Sequence, residues 1–588
     1  MTTSTFPFTL PVGLEGEEDG LKLKQLDAAR PRIQEHLHRK RSLKKAMPKV
    51  RLWINPPNGE TDDGLIYLGQ IDLTDSDNYE FPWKNNRSSS GVISVRAGHY
   101  LAKKIASIPN DPASCKNVIV TVDMYGGALR WSGLMHHWDV ETREGSDYIT
   151  ATFNDDLQFL DFMLAPPNPA LPLPIFQFPR VHFLFGPARW CVSTLILEQI
   201  IRLEGHPWTM PDDPFDGEQW LDLFNVGSWQ VHVKGVNFLQ DDSLWTLLAS
   251  RMDPVSTVVA DALDDAQLSI VYRRVMTVDG ERADGLGYDV KNGALVLEVV
   301  DRSGWTLPGG TFFDGTVISG LVRSVIDYGS GFVEDSIKVS EDSSEFYPDE
   351  YYQGSWMSTL SAAPGIVVRD SRYLDMQSKV SYSPATAVSV IVGGNNPTAD
   401  AIAQLIIESV GNLLGYFLLA GFDALGDMAA DIIMPFLTGT ILAWDELKNT
   451  ARADSLGWVH LHEIYQQGGE NNAWSLAALA AIRGGFKATS STTSHTMVIG
   501  DDHWPIPGLH FNIGDRIGST AGAMQRLGVD LIFVNQVEEM TLSGSGVDRE
   551  FLVRCGKDKA GMSMGERLAN LMRKALDQIQ NVGVHLIS

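Results

Sequence analysis

The sequence predicts a multidomain α+β protein with two antiparallel β-barrel-like tube domains, helical insertions and one apolar helical hairpin. Three observations predict it. The 588 residues are 44% hydrophobic and 20% charged, which suits several folded domains rather than a disordered chain. Short β-rich runs bounded by turn residues fill two stretches, on either side of a segment with helical spacing. Residues 398–445 hold two uncharged runs of 14 and 13 residues, below the roughly 18 to 20 that span a bilayer.

Residues 1–49 read as a basic N-terminal arm. Positions 21–51 contain eleven Lys/Arg against Asp27 and Glu35, a local balance of +9, so the rest of the chain carries −35 and the net charge is −26. Arg30, Arg32, Arg39, Lys40, Arg41, Lys44 and Lys45 are its candidate partner-binding residues, docking on acidic surface of the same or a neighbouring chain. A body this acidic repels phosphates, which disfavours a general nucleic-acid-binding role. The start of the chain shows no basic stretch leading into an apolar core, so no secretory signal is expected.

Residues 50–165 read as a first β-barrel domain. Arg51–Asn55, Gly64–Leu68, Gly91–Val95, Val118–Met124, Ala128–Met135 and Tyr148–Phe153 are its strand-like runs, closed by a short helix over Asp156 to Leu164. Residues 166–188 form a linker, with six prolines between 166 and 179. Residues 189–267 read as a helical or mixed domain, because Val192, Leu195, Ile196, Ile200 and Leu203 share helical spacing, as does the stretch Ser243 to Leu263. Residues 268–397 read as a second β-rich domain, opening with Leu268–Met276 and Ala294–Val300 and including an acidic exposed loop at 341–352. The two β blocks leave room for an internal duplication of barrels.

Residues 398–455 read as the apolar helical hairpin, a lumen plug or a membrane-proximal element. Thr398 caps its first helix, Pro435 kinks its second, and Gly411, Gly415, Ala420 and Gly421 permit close packing. The candidate lumen or membrane residues are Leu413, Leu414, Tyr416, Phe417, Leu418, Leu419, Phe422, Ile432, Ile433, Phe436 and Leu437. Residues 456–588 read as a C-terminal α+β domain. Its helices are expected over Leu456–Gln467, Ala473–Arg483 and a capped stretch from Ser563 to Ile579, and its strands over His495–Ile499, Asp530–Val537 and Glu550–Arg554.

Little catalytic chemistry is visible. Cys115, Cys191 and Cys555 are far apart, which suits reduced buried thiols and neither a disulfide scaffold nor a zinc site. No phosphate-cradling loop, H-E-x-x-H, G-x-S-x-G or calcium loop occurs. His136 and His137 are adjacent and point to opposite faces of a strand; His460 and His462 diverge on the helix expected there. Ser543-Gly-Ser-Gly546 reads as a hairpin turn. The carboxylate pairs Asp155–Asp156 and Asp212–Asp213 are of the type that serves glycoside hydrolysis across a cleft. Among 73 acidic residues such pairs also arise by chance. No catalytic residue, cofactor or metal is therefore assigned.

Several motifs point elsewhere. Ser94-Val-Arg-Ala-Gly-His-Tyr-Leu101, Arg130-Trp-Ser-Gly133 and Thr152-Phe-Asn-Asp-Asp-Leu157, the last running into proline-rich sequence, resemble the baseplate-hub (tail-associated) proteins of long-tailed bacteriophages. Thr440-Ile-Leu-Ala-Trp444, Ser494-His-Thr496, Trp504-Pro-Ile-Pro-Gly508 and Phe511-Asn-Ile-Gly-Asp-Arg516 look like those of minor tail proteins from siphophages that infect actinobacteria. The resemblance covers about 50–165 and 395–588.

It implies a homotrimer in the tail tip, each chain supplying two barrel-like domains to a pseudo-six-fold ring. Such a ring docks on the hexameric distal tail protein, encloses the C-terminal end of the tape-measure protein, contacts other minor tail proteins and opens for DNA in transit. A host membrane is a further implied contact after opening. The alternatives are a cell-wall hydrolase at the tail tip and a membrane-active protein working through 398–445.

Overall fold

The computed structural model describes most of residues 47–303, then 339–341, 366–368, 377–393, 444–466 and most of 482–556. The described residues are mostly β-sheet with few helices. The first block contains β1 (Lys49–Ile54), β2 (Ile66–Ile71), β3 (Ser76–Lys84), β4 (Ser90–Arg96), β5 (Val118–Met124), β6 (Leu129–Arg143) and β7 (Ser146–Asp155), with helix α1 (Tyr100–Ser107) after β4. Every residue of β5 is buried, as its unbroken β-branched run leads one to expect. Trp53 and Trp131 are buried because each indole N–H has a partner: Thr121 Oγ1 at 2.9 Å and the Pro82 carbonyl at 2.8 Å. Gly91 is required where β4 passes these rings, since a Cβ there would lie 2.8 Å from both Phe81 and Trp131.

A helical lobe follows. It contains β8 (Leu164–Ala165), β9 (His182–Pro187), α2 (Ala188–Glu204), β10 (Val231–Val233), β11 (Trp245–Ser250), β12 (Asp253–Pro254), α3 (Val255–Asp265), β13 (Leu268–Val275) and β14 (Ala294–Asp301). Strands β10, β14 and β13 form a three-stranded sheet. Val192, Leu195, Ile196 and Ile200 of α2 share one hydrophobic cluster with Leu263 of α3 and Leu295 and Leu297 of β14. The helix expected across Ser243 to Leu263 is instead a strand and then a helix. Trp245–Ser250 pairs with β9 over its whole length, and Pro254, which cannot continue a helix, stands immediately before α3.

The remaining strands are β15 (Val339–Glu341), β16 (Val367–Val368), β17 (Ser378–Ser383), β18 (Ala387–Gly393), β19 (Trp444–Lys448), β20 (Leu461–Tyr465), β21 (Thr492–Gly500), β22 (Arg516–Ser519), β23 (Leu531–Ser545) and β24 (Asp548–Gly556). Short helices α4 (Thr450–Leu456) and α5 (Gly522–Arg526) lie among them. Residues 543–546 do form the end of a hairpin: Ser545 pairs with Asp548, and Gly546 has φ +58°.

Pairing cuts across the divisions expected from the sequence. One 14-stranded sheet runs β17-β21-β24-β23-β3-β4-β7-β6-β5-β1-β2, with β15, β16 and β22 attached beside it. The two halves meet where β3 pairs antiparallel with β23, from Lys84–Glu539 to Tyr79–Gly544. They share one core, in which Tyr79, Phe81 and Trp83 lie with Met540, Phe551 and Val553. Among the described residues this path has two ends, at β17 and β2, and does not close on itself. The stretch 268–397, expected to be a second β domain, is divided three ways. Its β13 and β14 belong to the helical lobe, its β17 to the large sheet, and its β18 to a separate three-stranded sheet with β19 and β20. The physical reason is that apolar alternation marks a strand but not its partner.

Two further expectations change. Leu461–Tyr465 is a strand, not part of a helix: Gly457, at φ +81°, ends α4, and β20 then pairs parallel to β18. Trp444 closes no helix, since Trp444–Lys448 pairs antiparallel with β18. Gly393 and Trp444 are partners in that register, so the chain between them leaves and re-enters at one end of the small sheet. The apolar candidates from Leu413 to Leu437, the basic-arm candidates from Arg30 to Lys45, nearly all of the acidic loop 341–352 and the capped C-terminal stretch lie outside the described residues.

Candidate functional site: a charged junction between the first block and the helical lobe

A dense cluster of charged and polar groups lies where β13 of the helical lobe meets the first block. The outer edge of β13 would leave backbone groups unsatisfied, and side chains of the first block supply the partners. Asn86, at the β3–β4 turn with φ 55°, donates from Nδ2 to the Leu268 carbonyl and accepts the Ile270 N–H, each at 2.8 Å. Ser269 donates to Asn85 Oδ1 at 2.8 Å. Further along, Arg130 donates to the Arg274 carbonyl at 2.6 Å. Asn is suited to such a turn because it tolerates the left-handed region.

Around this edge runs a chain of alternating charges. Arg51 pairs with Asp123 at 2.6 Å and Asp279 at 2.7 Å. Arg130 reaches Asp123 at 2.5 Å and takes Glu281 in a two-point pair at 2.8 and 2.9 Å. Arg273 adds a contact to Glu281 at 2.8 Å. Arg130 is only 2% exposed at its side chain and Asp123 7%. Burial works against a charge on Glu281, but the hydrogen bond and charge of Arg130, with Met276 N–H and Arg273, outweigh it and hold the carboxyl below its usual range. The hydrogen bond from Arg51 does the same for Asp279.

The Asp155–Asp156 pair sits beside this network, and its geometry excludes the cleft that hydrolysis requires. Both residues are fully buried. Asp156 is clamped by Arg274 at 2.6 and 2.8 Å and accepts a short hydrogen bond from Ser132. Asp155 accepts the N–H groups of Ser89 at 3.0 Å and Leu157 at 3.1 Å. Asp212–Asp213 lies outside the described residues. A shallow recess of about 440 Å³ borders the junction, lined by Asp63, Thr277, Val278, Asp289, Lys291 and Asn292 among others, with no histidine, cysteine or serine.

Metal chemistry finds no support among the described residues, where no cluster of three or more His, Cys, Asp or Glu is suitably placed. His460 and His462 do come together, with rings 5.6 Å apart, because the second of them lies on β20. The His136 and His137 rings meet edge-on at 5.3 Å, with Asp139 3.5 Å from His137. Cys191 and Cys555 are buried and free, and burial pushes the Cys191 thiol up to about 12. The arrangement can therefore hold the first block and the helical lobe in fixed register.

Arg130 and Asp156, two residues of the phage-like motifs, thus lie at the joint between block and lobe. The model of the family described as "Siphovirus ReqiPepy6 Gp37-like protein" matches residues 50–557. The chain belongs to that family.

Its relatives include minor tail protein Gp28 of Mycobacterium phage L5, 30% identical over a 490-residue alignment that covers 75% of this chain and 80% of that protein. Minor tail protein Gp28 of Mycobacterium phage D29 is 28% identical over 518 residues, 79% of this chain and 85% of that one. Among solved structures, the tail protein from Neisseria meningitidis MC58 aligns over 88% of this chain and 98% of that one, at 10% identity and a TM-score of 0.37. This member of the Gp37-like family is thus homologous to minor tail proteins of phages that infect actinobacteria, as its motifs led one to expect.

The sequence did not single out Arg51, Asp123, Asp279, Glu281 or Arg274. A signal was present: Asp123 interrupts the apolar run Val118–Met124, and Arg273–Arg274 interrupts Leu268–Val275. A charge inside a buried strand implies a buried partner, though not which one.

Proposed function

We propose that this family member is a structural hub of a phage tail tip. In this reading three copies form a ring under the hexameric distal tail protein. The ring narrows the tube, encloses the C-terminal end of the tape-measure protein, and opens for DNA release without catalytic turnover. One observation carries it: a single chain places two β blocks edge to edge in one sheet that, among the described residues, has two open ends, as a repeating unit of a tubular wall would. Barrel-like closure of each block would then be completed between copies. The charged junction with the helical lobe suits a structural role, because its buried ion pairs hold the block and the lobe in register. The net charge of −26 suits a passage that a polyanion crosses without sticking.

The test is the mass of the full-length protein in solution, by light scattering, and its appearance by electron microscopy with the distal tail protein. A trimer that forms rings on that partner is expected. A monomer that forms no rings with it overturns the hub.

A second reading concerns residues 398–443. Because Gly393 and Trp444 are neighbours in one register, this apolar stretch is an excursion with both ends anchored at one place, as a plug or a membrane-contacting element requires. Liposome leakage by the full-length protein, reduced in Leu413→Asp and Phe417→Asp, is expected if it meets a membrane. Equal leakage in all three, or none, removes that reading.

A further inference from the structure

Asp155 and Asp156 are consecutive and fully buried, yet they serve different parts of the molecule. The two-point contact with Arg274 compensates a negative charge on Asp156 and ties it to the helical lobe. Among the described residues Asp155 has no cation beside it; its contacts are with Ser89, at the end of the β3–β4 turn, and with Leu157 N–H. Ser89 Oγ lies 2.5 Å from Asp155 Oδ2 and 2.6 Å from the Pro82 carbonyl oxygen. Oxygen atoms this close need a proton between them. A serine hydroxyl has one proton and a carbonyl has none to give. Two short contacts therefore need a second proton, and Asp155 is the group that can carry it.

We propose that Asp155 is a neutral carboxylic acid in the folded protein and acts as a proton-operated latch, donating to Ser89 while Ser89 donates to Pro82. Loss of the proton leaves an uncompensated buried charge at the point where the chain crosses from the first block into the helical lobe. The groups around it favour the neutral form. Asp156 repels a second negative charge, and the guanidinium of Arg274 is already taken by Asp156. Tyr272 of β13, buried nearby, keeps its proton and so supplies no charge of either sign. Burial raises the Asp155 carboxyl to about 7, against the hydrogen bonds from Ser89 and with the help of Asp156. The folded value exceeds the unfolded 3.8. The stabilisation is thus complete below the unfolded value and is lost as pH rises through the folded one. The inference rests on the geometry of the junction, not on the hub assignment.

The test is infrared spectroscopy of the full-length protein together with amide hydrogen exchange. A carbonyl band of a protonated carboxyl is expected at about pH 6 and should fade by about pH 9. It should be missing at every pH in Asp155→Asn. Exchange at Ser89 and Leu157, corrected for base catalysis, should rise about tenfold across that interval in the wild type but not in the variant. No band near pH 6, a band that survives in the variant, or exchange that ignores the titration overturns the latch. If Asp155→Asn does not fold, Ser89→Ala keeps the carboxyl and removes the acceptor of its proton. The band must then change frequency, and an unchanged band is equally fatal.

Discussion

Arg274 and Asp156 are buried together, so removing either partner strands the other's charge. Asp156→Asn is expected to destabilise the protein by about 3–5 kcal/mol, and the double replacement Asp156→Asn with Arg274→Met by clearly less than the two singles added. Denaturant melts of the four proteins measure this. At the other flank of the junction, Glu281 and Asp279 titrate below their ordinary ranges in the folded protein. Their stabilisation is present above the unfolded carboxylate values and is lost as pH falls through the depressed folded ones. Thermal melts should show an acid-side loss that is smaller in Glu281→Gln. The sign is opposite to that of Asp155, so the junction is tightest in weak acid. Cys191 and Cys555 should resist thiol reagents in the native protein and react once it is unfolded, as mass mapping would show.

At the scale of elements, one turn does two jobs. The β3–β4 hairpin folds back at Asn86, and the same side chain completes the edge of β13. Asn86→Gly keeps the turn but removes both edge hydrogen bonds, and should cost about 1–3 kcal/mol in a denaturant melt; a neutral result would mean that water replaces the carboxamide. Strands and helices with unbroken signals, such as Val118–Val122 and the face of α2 bearing Val192, Leu195 and Ile196, were legible in the sequence. Trp245–Ser250 and Leu461–Tyr465 were not, because short apolar runs fit either period and their strand partners lie far away in sequence or across an intervening segment. The junction was half legible. Charges inside β5 and β13 announced buried partners, but Arg130–Glu281 and Asp156–Arg274 span 151 and 118 residues, beyond any local pattern.

At the scale of the whole molecule, the first block and the C-terminal strands form one sheet with a shared core, while residues 394–443 leave from and return to a single register of the small sheet. Replacing that stretch by a short Gly/Ser turn should therefore preserve a cooperative unfolding transition, since the two ends are already neighbours and closing them adds little loop entropy. Loss of the transition in a calorimetric scan would assign those residues to the core instead. The same deletion should abolish any liposome leakage.

The sequence alone determined that this is a folded, acidic body with β blocks, a helical section and an apolar excursion. Composition, apolar period and turn residues act locally, and each is written in consecutive residues. It also carried motifs that pointed to phage tail proteins, and family membership bears that out. Only the tertiary structure decided that β3 joins β23, that the strands at 268–301 serve the helical lobe, and that Asp155 and Asp156 are a buried joint rather than a catalytic pair. Those outcomes depend on which distant edges and charges meet. Burial then makes each match obligatory, because an unpaired edge or charge in the interior costs more than the pairing does.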